Sequence, residues 1–138
     1  MSQKMTTEGM PYTIMIVEDE YWTAKELAAE VRDRGAVVGG PTSCLSKAKT
    51  MVEGAPRPDA VILDLQLRAE DAFSFADHLL NANIPFLLAT GYEAHELPSR
   101  FKGIPHLVKP CSSAACIDAA LTLAADRAPA SPHRSAAS

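Results

Sequence analysis

The chain has no apolar stretch near the roughly 20 residues needed to cross a bilayer, which excludes a transmembrane helix. Basic residues are also scarce. Thirteen Lys and Arg stand against 17 Asp and Glu, a net charge of −4, so no basic stripe is available for a nucleic-acid backbone. There are only three cysteines, Cys44, Cys111 and Cys116, without metal-ligand spacing, and they read as reduced thiols. The opening segment MSQKMTTEGMPY lacks the apolar centre of a signal peptide, so the expected location is cytoplasmic. What remains is 138 residues, 47% hydrophobic and 22% charged, which suits one soluble domain with a proper core and no room for a second.

Strand-like and helix-like patterns alternate from Thr13 to about Asp126. Thr13–Val17 is a β-rich apolar run, followed by a helix with Ala24, Leu27, Ala28 and Val31 on one face and Gly35 as its stop. Ala36–Val38 reads as a short second strand ending at Gly39-Gly40, and a modest helix from Leu45 turns Leu45, Ala48 and Val52 inward. The third strand is Ala60–Leu63. Asp71 is placed to cap a helix that buries Ala72, Phe75, Ala76, Leu79 and Leu80. The fourth and fifth strands are Phe86–Ala89 and His106–Val108, and Ser112 or Ser113 can cap a last helix with Ile117, Ala120, Leu121 and Ala124 on its inner face.

Parallel neighbours need crossover connections, so the alternation predicts a doubly wound α/β domain with a five-stranded parallel sheet. Between Gly91 and Pro105, Pro98 and a thin apolar stripe predict an irregular fourth helix. The expected layout is a flexible N-terminus over 1–11, one domain over 12–126 and a disordered tail over 127–138, too short for an output domain.

In such a sheet the ligand sits outside the carboxyl ends of the strands. Glu18, Asp19 and Glu20 follow the first strand, Asp64 the third, Thr90 the fourth and Lys109 the fifth. Converging carboxylates repel one another, and Mg²⁺, a hard cation with oxygen ligands, answers that repulsion. Asp64 then reads as a nucleophile that forms an aspartyl phosphate, with Lys109 and Thr90 supplying a cation and a hydroxyl for phosphoryl oxygens. Lys109 is expected to matter to the phosphoryl group more than to the fold.

With Glu18-Asp19, Asp64, Thr90 and Lys109-Pro110 in this order, the chain resembles the receiver domain of two-component response regulators over roughly residues 12–126. The resemblance implies a flavodoxin-like receiver fold. It also implies phosphoryl transfer to Asp64 from a sensor histidine kinase or a histidine phosphotransfer protein, and signalling to a downstream protein partner or onward phosphotransfer. Glu18, Asp19, Asp64 and the backbone carbonyl of Gln66 would hold Mg²⁺, Glu18 acting through a water, and the Lys109–Pro110 bond would be cis. Such a protein is a phosphoacceptor that catalyses its own phosphorylation and dephosphorylation, not an enzyme with a separate substrate. The runs PFLLATGYE and DLQLRAED resemble a subgroup of stand-alone receivers nicknamed the FAT GUY family, with Leu88 in the phenylalanine place. Gln66 and Tyr92 fall where receivers tune phosphoryl lifetime, and His106 where they commonly carry an aromatic switch residue. His78, His95 and His133 form no metal pattern and are expected to face solvent.

Two other readings stand beside this one. A phosphohydrolase with an aspartyl-phosphate intermediate would want a second acid two residues after the nucleophile, where Gln66 stands. A binding module that keeps the fold but takes no phosphate would not need Asp64, Thr90 and Lys109 together.

Overall fold

The structure, a computed structural model, describes residues 9–67 and 71–127. The expected flexible N-terminus lies outside the described residues up to residue 8, and the expected tail from residue 128. Along the chain run β1 (Thr13–Val17), α1 (Tyr21–Asp33), β2 (Val37–Thr42), α2 (Leu45–Glu53), β3 (Ala60–Leu63) and α3 (Ala72–Asn81). β4 (Phe86–Thr90), β5 (His106–Val108) and α4 (Ser113–Arg127) follow. All pairings are parallel, in the order β2-β1-β3-β4-β5. This is the doubly wound arrangement that the alternating pattern predicts, with the flavodoxin-like strand order that the resemblance implies.

The central strands are apolar on both faces because both are covered. Ile14, Ile16, Ile62, Leu87 and Ala89 pack with Leu27, Ala28 and Val31 of α1 and Ile117, Ala120 and Leu121 of α4. The alternate residues Met15, Val17, Val61, Leu63 and Leu88 pack with Ala48 and Val52 of α2 and Phe75, Ala76 and Leu79 of α3. Period-two alternation in the strands therefore meets period-3.6 stripes in the helices on each side. Local chemistry sets the helix ends. Glu20 caps α1 by accepting from the Thr23 N–H at 2.7 Å, Asp71 caps α3 by accepting from the Phe73 N–H at 3.0 Å, and Gly35 takes φ +79° beyond α1.

The structure differs from the sequence reading at β2 and at Leu80, and it bears out the irregular fourth helix. β2 does not end at Gly39-Gly40 but runs on to Thr42 through a register shift against β1 between Met15 and Val17. It is an edge strand, where a bulge and a proline are tolerated because one side of the ladder is empty. Gly40 has φ +80°, and a Cβ there would lie 2.9 Å from the Thr42 nitrogen and 3.1 Å from the Ile16 carbonyl oxygen. Leu80 is only partly buried, packed at the margin of the core. The irregular fourth helix is two separate 3₁₀ turns, Ala94–Glu96 and Ser99–Phe101, with Pro98 at the start of the second.

Candidate functional site

Glu18, Asp64 and Lys109 each stand one residue beyond a strand, and Thr90 is the last residue of β4. The ladder continues past the strands to fix them. The Glu18 N–H donates to the Thr42 carbonyl at 3.0 Å, the Asp64 N–H to Val17 at 3.0 Å and the Lys109 N–H to Thr90 at 2.8 Å. The β2 bulge is thus part of the site, because it brings the Thr42 carbonyl opposite Glu18.

Glu18 and Asp64 are each 5% exposed, and Thr90 is fully buried. Buried carboxylates need partners for every oxygen. Lys109 Nζ donates to Glu18 Oε1 at 2.6 Å and to Asp64 Oδ2 at 2.9 Å. The other two oxygens accept backbone N–H groups, Glu18 Oε2 from Glu20 at 3.0 Å and Asp64 Oδ1 from Gln66 at 2.9 Å. Burial still pushes the Glu18 carboxyl above the usual carboxylate range, against the lowering effect of its hydrogen bonds from Lys109 and Glu20. For Lys109, burial favours the neutral amine, but the two carboxylates together outweigh it and hold the ammonium above the ordinary lysine value.

Glu18, Asp19 and Asp64 each offer a carboxylate oxygen within 4.8 Å of the others. This hard, all-oxygen donor set could hold a divalent cation, and it is the one such cluster among the described residues. Of the acidic three after β1, Glu20 is taken up by its capping bond, which leaves Glu18 and Asp19 for the site.

Gln66 has a second role that spacing did not reveal. Its side-chain Oε1 accepts the Gly91 N–H at 2.9 Å, so it spans from the β3 end to the β4 end. The Tyr92 N–H approaches Thr90 Oγ1 at 3.5 Å, and its ring lies 5.8 Å from that of Phe73. His106 Nε2 is 2.9 Å from the Tyr92 carbonyl oxygen, which ties the two expected switch positions directly together. The Lys109–Pro110 peptide is cis, as are Gly40–Pro41 and Ala55–Pro56.

Of the remaining histidines, His95 is exposed and His133 lies outside the described residues. His78 departs from expectation. It is half-buried on α3, its ring stacked 6.3 Å from Phe75 and its Nε2 3.3 Å from Glu53 Oε2 of α2.

No protein-family model matches the chain, and no curated protein sequence does. Solved structures do. SdrG from Sphingomonas melonis is 32% identical over 82% of this chain and 95% of its own, with a TM-score of 0.67. A response regulator receiver protein from Sinorhizobium medicae is 25% identical over 82% of this chain and 94% of its own, with a TM-score of 0.66. The chain belongs to the response regulator receiver family. A putative response regulator from Chloroflexus aurantiacus, 23% identical over 83% of this chain and 98% of its own, shares the receiver fold with a TM-score of 0.70. Receivers generally bind Mg²⁺ in an acidic pocket, and this receiver has such a cluster in Glu18, Asp19 and Asp64. Among its described residues no helix is long and apolar enough to cross a membrane.

Proposed function

We propose that this receiver takes a phosphoryl group on Asp64 from the phosphohistidine of a sensor histidine kinase or a histidine phosphotransfer protein. It then signals by contact with a downstream protein or by passing the phosphoryl group on. The observation that carries this reading is the environment of the Asp64 carboxylate. It is nearly buried, one oxygen is oriented by the Gln66 N–H, and the other faces a protonated Lys109 beside two more carboxylates. A side chain held in this way is preorganised to attack phosphorus.

In the transfer, an Asp64 oxygen forms a bond to phosphorus as the phosphorus–nitrogen bond to the donor histidine breaks. Glu18, Asp19, Asp64 and the Gln66 backbone carbonyl would hold Mg²⁺, which supplies neutralisation of the phosphoryl oxygens when bound. Lys109 would pass from Asp64 Oδ2 to a phosphoryl oxygen, and the Thr90 hydroxyl would donate to another. By the receiver resemblance, Glu18 would act on the metal through a water and Asp19 would ligate it directly. The run Leu88-Ala89-Thr90-Gly91-Tyr92 supports placement in the FAT GUY-like subgroup. Gln66 offers no acid for general acid–base work, which favours a phosphoacceptor over a phosphohydrolase.

Incubation with Mg²⁺ and a small-molecule phosphodonor tests the reading. The wild type should gain one labile phosphoryl group on Asp64 and lose that capacity in EDTA, while Asp64→Asn should gain none. Uptake by the Asn variant, or uptake indifferent to EDTA, would overturn it. Trp22, the single tryptophan, lies three residues past Asp19 and is 63% exposed, which provides a fluorescence readout for metal titration. Asp19→Ala should weaken Mg²⁺ binding more than Glu18→Ala, and the reverse order would refute the direct role given to Asp19. One solved structure of SdrG is described as its BeF3-activated conformation, so beryllofluoride is a suitable phosphoryl mimic for this chain.

A further inference from the structure

Just after Lys109 in the chain, two thiols lie in contact. Cys111 Sγ and Cys116 Sγ are 3.6 Å apart, and both are free. Cys111 is half-buried in the loop just after Lys109-Pro110, and Cys116 is 2% exposed in the first turn of α4. A helix cap rather than a slack loop sets their spacing. Ser112 Oγ accepts the Ala115 N–H at 3.0 Å, and the Ser112 carbonyl accepts the Cys116 N–H at 3.1 Å. A cleft of about 440 Å³, walled by Thr23, Glu26, Leu27 and Lys109, is also lined by Cys111 and Cys116. A small solute therefore has a route to Cys111, with Cys116 behind it.

We propose that Cys111 and Cys116 are a hydroperoxide-oxidisable dithiol that closes to an intramolecular disulfide beside Lys109. Cys111 reacts first, because it is the more exposed of the two. Burial, reinforced by the hydrogen bond to Cys111, pushes the Cys116 thiol up to about 12, so Cys116 keeps its proton. The Cys111 sulfur attacks a peroxide oxygen and the O–O bond breaks, giving a sulfenic acid and, with the thiol proton, one water. The Cys116 sulfur then attacks the Cys111 sulfur, the S–O bond breaks, and the leaving hydroxide takes the Cys116 proton as a second water. The dithiol loses two electrons and two protons, and hydrogen peroxide is reduced to two waters. The sulfurs must close to about 2.05 Å, which the loop position of Cys111 allows. Disulfides in a reducing compartment are commonly transient and redox-sensing.

The disulfide would tie the segment bearing Lys109 to α4, and so restrain the release of Lys109 Nζ from Asp64 Oδ2. This consequence rests on the proposed phosphoacceptor function, whereas the dithiol chemistry does not.

The test uses the full chain with Cys44→Ser, treated with dilute hydrogen peroxide, then unfolded, alkylated and digested with trypsin. Trypsin leaves the Lys109–Pro110 bond intact, so one peptide, Gly103–Arg127, carries both thiols. That peptide should come out unalkylated, lighter than its reduced form by two hydrogen atoms, and be restored by dithiothreitol. Cys116→Ala should leave Cys111 carrying added oxygen, and Cys111→Ser should leave Cys116 unmodified over the same exposure. Oxygen accumulating on Cys111 in the presence of Cys116, or equal oxidation of either thiol alone, would overturn the proposal. So would an inert pair at doses that oxidise the exposed Cys44 of the wild type. In the phosphodonor assay the disulfide form should take up phosphate several-fold more slowly than the reduced form. Equal rates would overturn the link to Lys109. No uptake by the reduced form would instead refute the phosphoacceptor reading, with the mass result still deciding the dithiol.

Discussion

Two stretches meet at the carboxyl edge of the same sheet and are held there in opposite ways. Around Glu18, Asp64 and Lys109 the backbone is fixed by hydrogen bonds that extend the strand ladder, and the buried carboxylates of Glu18 and Asp64 are both paired with Lys109. From Gly91 to Pro105 the chain makes two single 3₁₀ turns, and its only buried anchors are Leu97 and Phe101. Its ties to the site are the Gln66–Gly91 and Thr90–Tyr92 contacts at the entrance and His106–Tyr92 at the exit. Charge placement needs a rigid frame, since a carboxylate displaced by even an ångström loses its partners. A responsive segment needs the reverse, a few anchors that can be exchanged at small cost. Under the proposed function, the contrast suits the first stretch to receiving the phosphoryl group and the second to responding to it.

The largest expected effect strikes the second stretch. Phe101 is fully enclosed, stacked 6.1 Å from Phe73 and covered by Arg100, which pairs with Asp77 of α3 at 2.6 Å. Phe101→Ala should lower unfolding stability in urea by about 3–5 kcal/mol. Hydrogen exchange should speed more across Gly91–Pro105 than at the β1 and β3 amides, which should lose only what the fall in global stability takes from them. Loss of protection spread evenly over all five strands would mean that the segment is part of the common core, and the contrast would break.

Next comes the frame itself. Gly40→Ala places a Cβ at φ +80°, within 2.9–3.1 Å of two backbone atoms that cannot swing aside. A cost of about 2 kcal/mol is expected from the left-handed conformation alone. The Thr42 carbonyl should shift with it, so Mg²⁺ binding measured by Trp22 fluorescence should weaken as well. An unchanged metal titration would show that Glu18 does not depend on the bulge.

The frame and the segment were unequally legible in the sequence. β1, α1, α2, β3, α3 and β5 could be read because each carries a hydrophobic run or stripe, and Gly35 and Asp71 mark the end of α1 and the start of α3 by local chemistry. The Gly39-Gly40-Pro41 run reads locally as a stop, and only pairing with β1 turns it into a bulge. The acidic pair, Asp64, Thr90 and Lys109 were visible because each ends an apolar run. Hidden were the contacts between those ends: Lys109 reaching Glu18 across 91 positions, Gln66 reaching Gly91 across 25 and Cys111 meeting Cys116. Spacing gives residues an address on an element, while side-chain reach across the sheet depends on rotamers that no period encodes.

A smaller effect concerns Lys109, whose expected role lies with the phosphoryl group more than with the fold. The structure gives it a structural share as well. Its Nζ is the cation shared by Glu18 and Asp64, whose side chains are 3% and 7% exposed. Lys109→Met leaves two buried carboxylates facing each other. Because Lys109 itself is 25% exposed, the loss in metal-free buffer should be about 1–2 kcal/mol, below that for a fully buried pair. Mg²⁺ should raise the melting temperature of the variant more than that of the wild type, since the cation replaces the lost charge. An equal rise in both would show that the metal and Lys109 neutralise different groups.

The smallest stability effect is expected at the joint between the two stretches, where the functional effect need not be small. A Cβ at Gly91 would lie 2.5 Å from Gln66 Oε1, the far end of an exposed side chain that can rotate away. Gly91→Ala should therefore change stability by no more than about 0.5 kcal/mol. It should also break the Gln66–Gly91 bond, which joins the Asp64 loop to the start of the responsive segment. Beryllofluoride should still bind, because the frame is intact, while the accompanying change in hydrogen exchange over Gly91–His106 should shrink. Gln66→Ala removes the same bond from the other side and should reproduce the result. If both variants respond to the mimic as the wild type does, the signal passes through Thr90 and the ladder of β4 alone, and Gln66 serves only to orient Asp64.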